Sequence, residues 1–141
     1  MTSKHLSALR EPGRRIATAG LGAVAVLGIL AAPAQASSWS SHLSGAAPGF
    51  ESRRWADDGG PTNINFTGCS DDYSNRGVGV TLRKDTFGPD PSYTQAYFTN
   101  CFGGGTSSGN WDGHGSGDYY FAVNYGLSGV HVWVNSLSVN Y

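Results

Sequence analysis

Gly77-Val78-Gly79-Val80-Thr81-Leu82-Arg83-Lys84 sets Val78, Val80 and Leu82 on one side of the chain and Thr81 and Arg83 on the other. Alternation of period two is the mark of a strand with one buried face, and no helical stripe of useful length occurs outside the N-terminal segment. Thr62 to Cys69 repeats the scheme, with Ile64 and Phe66 against Asn63, Asn65 and Thr67. From Asp118, Tyr119, Phe121, Val123 and Tyr125 alternate with Tyr120, Ala122 and Asn124. The last stretch has Val130, Val132 and Val134 on one side, then Leu137, Val139 and Tyr141, and this change of parity predicts a bulge or turn near Asn135.

Other segments are less regular. Tyr93 to Phe102 alternates with aromatics on both faces, and a short strand is expected around Arg53 to Ala56. The prolines of Gly88-Pro89-Asp90-Pro91 fix φ and remove donors, so no ladder continues through them. Gly103 to Gly109, rich in Gly, Ser and Thr, reads as a flexible loop, with Trp111 opening a short segment beyond it. About six to eight strands with turn signals about every 8 to 12 residues predict an all-β fold: a single antiparallel β-sandwich, immunoglobulin-like or jelly-roll-like.

The chain has 141 residues and a formal net charge of −1, and these totals hide a division. Lys4, Arg10, Arg14 and Arg15 precede an uncharged run from Ile16 to Ala32, and Ala34-Gln35-Ala36 is a small-x-small cleavage pattern. Residues 1–36 therefore read as a secretory signal peptide, and the protein is expected to be secreted and extracellular, with no membrane partner once the signal is cleaved. The pair Arg14-Arg15 leaves the general and the twin-arginine export routes both open. The remaining 105 residues hold all the aromatics and carry 5 Lys and Arg against 9 Asp and Glu, which offers no basic face for nucleic acid. Residues 37–50, with four serines among the first five, read as a flexible N-terminal tether that includes Trp39 and His42, and residues 51–141 as the sandwich domain.

Cys69 and Cys101 are the only cysteines, and in an oxidising compartment they are expected to form one intramolecular disulfide. Were the middle strands neighbours in one meander, the first and third would lie about 10 Å apart. A disulfide needs Cα atoms about 5.5 to 6 Å apart. The strand ending at Cys101 is thus expected to cross to the opposite sheet, unless a cysteine-bearing loop folds inward.

Gly117-Asp118-Tyr119-Tyr120-Phe121-Ala122-Val123 resembles the Gly-x-Tyr-Tyr-x-x-Val strand of immunoglobulin-like and pre-peptidase C-terminal modules of secreted bacterial proteins. The resemblance implies a corner tyrosine, Tyr119 or Tyr120, hydrogen-bonded back onto the preceding turn. The mature region as a whole looks like small secreted actinobacterial proteins of uncharacterised function, a likeness that brings no activity with it.

For hydrolysis, His114 lies near Ser116, Asp112 and Asp118, but Gly113-His114-Gly115-Ser116-Gly117 puts Ser116 at the wrong position for a nucleophile elbow. No pair of the mature carboxylates is singled out for glycoside cleavage, since nearly all sit at turns. No catalytic residue and no enzyme is expected. Neither is a cofactor: calcium is the ion that Asp57-Asp58 and Asp71-Asp72 would suit, but no calcium-loop motif accompanies them, and the histidines, His131 among them, are too scattered for zinc. Asn65-Phe66-Thr67 fits a glycosylation sequon, on a strand where it is expected to be inert.

Recognition remains. Trp111, with Asn110, Asp112 and His114 around it, is the candidate ligand site: either an exposed platform for a sugar ring or a plug over the open end of the sandwich. Trp55 and Trp133 are expected in the core. The function expected is a secreted, non-catalytic binding module for an extracellular glycan or protein. The alternative is a small effector, a protease inhibitor or antimicrobial protein, acting through the segment Phe102 to Trp111.

Overall fold

The computed structural model describes residues 37–74, 76–124 and 130–141. Residues 1–36, expected to be a signal peptide, and Tyr125 lie outside the described residues. Eight strands are present: β1 (Ser38–Ala46), β2 (Trp55–Asp57), β3 (Thr62–Asp71), β4 (Val78–Asp85), β5 (Ala96–Phe98), β6 (Thr106–Trp111), β7 (Gly117–Asn124) and β8 (Val132–Asn140). One short 3-10 turn, Asn100–Gly103, precedes β6.

Two four-stranded antiparallel sheets face one another, the first in the order β1-β8-β3-β6 and the second in the order β2-β7-β4-β5. Every connection except β4 to β5 carries the chain from one sheet to the other. That is the jelly-roll arrangement, so of the two sandwich forms left open it is the immunoglobulin-like one that the strand order sets aside. The core lies between the sheets, where Phe66 meets Phe98 edge-on at 4.9 Å and Phe121 at 5.7 Å.

The disulfide joins Cys69 of β3 to Cys101 in the 3-10 turn, with Cα atoms 5.0 Å apart. β5, which runs toward Cys101, lies in the sheet opposite β3, as the spacing argument requires. The predicted change of parity in β8 is present and is matched in β3. Burial shifts from Phe66 to Cys69 in one strand and from Val134 to Leu137 in the other, while the pairing of Thr67 with Ser136 and of Cys69 with Val134 keeps one register. Gly68 and Asn135 face each other as the extra residues, so both strands turn over together.

Four expectations need correction. Residues 38–46 are not a tether but the edge strand β1, paired along β8 from Ser38 with Asn140 to Ala46 with Val132. Two register shifts break the period of two, so its anchors Trp39, Leu43 and Ala46 fall at irregular spacing. Gly103 to Gly109 is not a flexible loop: its second half is β6, whose exposed Thr106 and Ser108 bond across to β3 and whose buried Ser107 Oγ accepts the Cys101 amide at 2.9 Å. Pairing and side-chain hydrogen bonds override a composition poor in strand formers. The strand expected from Tyr93 to Phe102 shrinks to β5, with Ser92 bridged to Arg83 before it. Trp133 is 36% exposed on the outer side of the first sheet, because its neighbours Val132 and Val134 take the inward positions. Trp39, expected in the tether, is half-buried and packs against the core instead, stacked on Phe121 at 6.3 Å and tilted against Trp55 at 5.8 Å.

Candidate functional site

β3, β6 and β8 reach one end of the first sheet together, and their register sets Asn63 beside both Asn110 and Asn140. Behind this row a cleft of about 380 Å³ opens, with Pro61, Trp111 and Tyr141 as its apolar wall. Asp58 and Asp112 stand at its edge with the three asparagines. A pocket of this size, apolar within and carrying a few polar groups on its rim, is the usual form of a small-ligand site.

Local chemistry holds each part. Asp57 is buried and accepts the Gly59 amide at 2.7 Å and the Thr62 hydroxyl at 3.1 Å, which fixes the turn into β3. Asp58 accepts the Gly60 amide at 3.2 Å. The Asn63 amide donates to Asn110 Oδ1 at 2.6 Å, and the Asn140 amide donates to Asn63 Oδ1 at 3.4 Å. No Lys or Arg lines the cleft, so its polar edge is made of amides and carboxylates. Such an edge receives hydroxyl donors without asking the ligand for charge.

Trp111 belongs to β6 and not to a loop, and it is buried with only 5% exposure. Its Nε1 donates to the Thr94 carbonyl at 2.7 Å. The ring folds back over Gly109, where a Cβ would come within 2.5 Å of it, so glycine is required there. Trp111 is therefore the plug between β6 and β5, and it meets the cleft as part of its wall and not as a free platform.

Of the four candidate residues, Asn110, Trp111 and Asp112 line this cleft, and His114 does not. His114 sits in the adjoining depression with Ser92, Tyr93 and Thr94, on the other side of the Asn110–Asp112 ridge. Its ring lies flat on Tyr93, centroids 3.7 Å apart, and its carbonyl accepts the Lys84 ammonium at 3.3 Å. Burial pushes the hydroxyls of Tyr93 and Tyr119 above the ordinary phenol range, which keeps them neutral. Tyr119 donates to the Gly115 carbonyl four residues back. Tyr120 bonds instead to Asp90 at 2.7 Å.

The acidic pairs considered for calcium are taken up by hydrogen bonds within the fold. Asp71 accepts the amides of Tyr73 and Arg76, and Asp72 accepts both the backbone amide and the ring nitrogen of His131, the latter at 2.8 Å. Among the described residues no three His, Cys, Asp or Glu side chains converge. Residues that sequence reading missed are Asn63, Asn140, Pro61 and Tyr141; only the strand register brings them together. No protein family, curated protein or solved structure matches the chain.

Proposed function

We propose that the protein is a secreted, non-catalytic binding module for an extracellular glycan. The jelly roll hosts lectin domains and viral shells alike, so the fold leaves the ligand open and the cleft must carry the reading. One observation does so: an apolar wall of Pro61, Trp111 and Tyr141 lies behind an uncharged row of Asn63, Asn110 and Asn140, flanked by Asp58 and Asp112. A sugar ring offers the same division, C–H groups on one face and hydroxyls at its rim. The test is retention of the mature chain on insoluble cellulose, chitin and xylan. Asn110 is exposed, so Asn110→Ala keeps the fold and is expected to weaken retention by about tenfold. Absence of retention on every polysaccharide, or equal retention by the variant, overturns the reading.

A second reading, an effector that inhibits a protease, is favoured by a different segment from Phe102 to Trp111. Phe87 is fully exposed at the tip of the loop after β4. The loop is braced: Asp90 accepts the Thr86 amide at 2.9 Å, and Lys84 bonds to the Pro91 carbonyl at 3.1 Å. A rigid loop that presents one aromatic side chain suits insertion into an apolar pocket of a partner protein. Inhibition of chymotrypsin-like proteases that disappears in Phe87→Ala supports this reading over the first.

A further inference from the structure

The outward side chains of β3, β6 and β8 form rows that continue from the cleft. Behind Asn140, Asn63 and Asn110 come Ser138, Asn65 and Ser108, and behind these Thr67 and Thr106. Members of a row stand about 4.8 Å apart and successive rows about 6.7 Å apart, as pleated strands dictate. They are held in place by one another: Asn65 donates to Ser138 Oγ at 3.3 Å, Ser108 donates to Asn65 Oδ1, and Thr67 shares a proton with Thr106 at 2.7 Å. Groups already fixed lose little freedom when a ligand arrives.

Past the double bulge, the face ends in Trp133, which pairs with Ser70. Its indole lies against Gly45, where a Cβ would stand 3.6 Å from the ring, and 36% of the residue remains exposed. Trp133 and Asn140 are seven residues apart on β8, a span of roughly 20 Å at ~3.3 Å per residue, which is the length of several sugar rings. No outward side chain of β3, β6 or β8 along this span is charged.

We infer that this face is a track for a neutral polysaccharide chain, with the cleft at one end and the Trp133 indole as an aromatic subsite at the other. The inference rests on the glycan reading and extends it from one sugar ring to a chain. Charge selects the occupant: the rows are amides and hydroxyls, and His131 beside Trp133 is already paired with Asp72, so an anionic polymer finds no free cation along them. A protein interface would instead place an apolar cluster at its centre, where this face has asparagine, serine and threonine.

The experiment is calorimetric titration of the mature chain with neutral β-1,4-linked gluco-, xylo- and N-acetylglucosamine oligosaccharides, from disaccharide to hexasaccharide. Affinity is expected to rise with chain length. Trp133→Ala is expected to lower hexasaccharide affinity about tenfold and leave disaccharide affinity unchanged, and Trp133→Phe to recover most of the loss. Asn110→Ala in the cleft weakens both. Circular dichroism of the Trp133 variants checks that the exposed substitution leaves the sheets intact. Binding that is independent of chain length, or a Trp133→Ala chain that binds hexasaccharide normally, overturns the track and leaves the cleft reading standing. Failure of every neutral oligosaccharide to bind overturns both.

Discussion

The two sheets turn unlike surfaces outward. On the second sheet the Arg54 guanidinium lies 4.1 Å over the Tyr120 ring and bonds to Glu51 at 2.9 Å and Asp85 at 3.0 Å, while the Tyr120 hydroxyl bonds to Asp90. The charges are spent on one another, and an aromatic ring on the solvent side of the sheet becomes fully buried beneath them. On the first sheet the polar groups are uncharged, stand in rows and remain open above. Polar side chains that roof an apolar ring serve stability, whereas the uncharged rows of the first sheet are the surface on which the proposed glycan reading rests.

That contrast sets an order of expected effects. Tyr120→Ala should cost the most, about 3 to 5 kcal/mol, since it removes a fully buried ring. Urea unfolding measures it, and a loss below about 1 kcal/mol would show that the roof contributes nothing. Next, replacing Cys69 and Cys101 together by alanine opens a loop of 32 residues, expected to cost about 3 to 4 kcal/mol on the chain-entropy account. Because Phe66 of one sheet still packs on Phe98 and Phe121 of the other without the bond, fluorescence and circular dichroism should still report a single transition. Separate transitions would mean that the sheets unfold independently.

Acid should distinguish the faces without any large substitution. The Tyr120 hydroxyl, and after it the Thr86 amide, hold the Asp90 carboxyl below the ordinary carboxylate range. A carboxyl depressed in the folded state contributes stability above its unfolded pKa, and that stability is lost as pH falls through the folded value. Asp90→Asn should therefore flatten the decline in melting temperature below about pH 4. The network on the first sheet has no titrating member, so Asn65→Ala should cost about 1 kcal/mol or less, equally at every pH. A pH-dependent effect of that substitution would erase the distinction.

Sequence reading succeeded where one face is buried and the other wet. β3 shows that alternation, and the parity change at Asn135 is visible because valines and leucine lie on either side of it. β4 does not: Val78 to Leu82 are all buried, and Thr81, expected on the wet face, is covered and accepts the Asn124 amide at 2.7 Å. In β7 five successive residues, Tyr119 to Val123, are buried, because the segment from Gly49 to Asp57 pairs along it and Arg54 covers Tyr120. β1 escaped because its bulges break the period, and β6 because its middle residues Ser, Ser, Gly and Asn have little strand preference of their own. Asn110, Trp111 and Asp112 could be singled out as neighbours of an aromatic residue. Asn63 and Asn140 could not, since they reach Asn110 only through pairings across 47 and 77 residues.

The edge pairing of β1 with β8 also fixes how the domain bears load. Ser38 faces Asn140, and the Tyr141 amide bonds to the Ser37 carbonyl at 2.8 Å, so residues 37 and 141 emerge side by side. Tension applied between them meets the ladder one rung at a time, as a zip is opened, and not all rungs together as in shear. β1 peels off at low force, while the stretch enclosed by the sulfur bridge feels none of the pull.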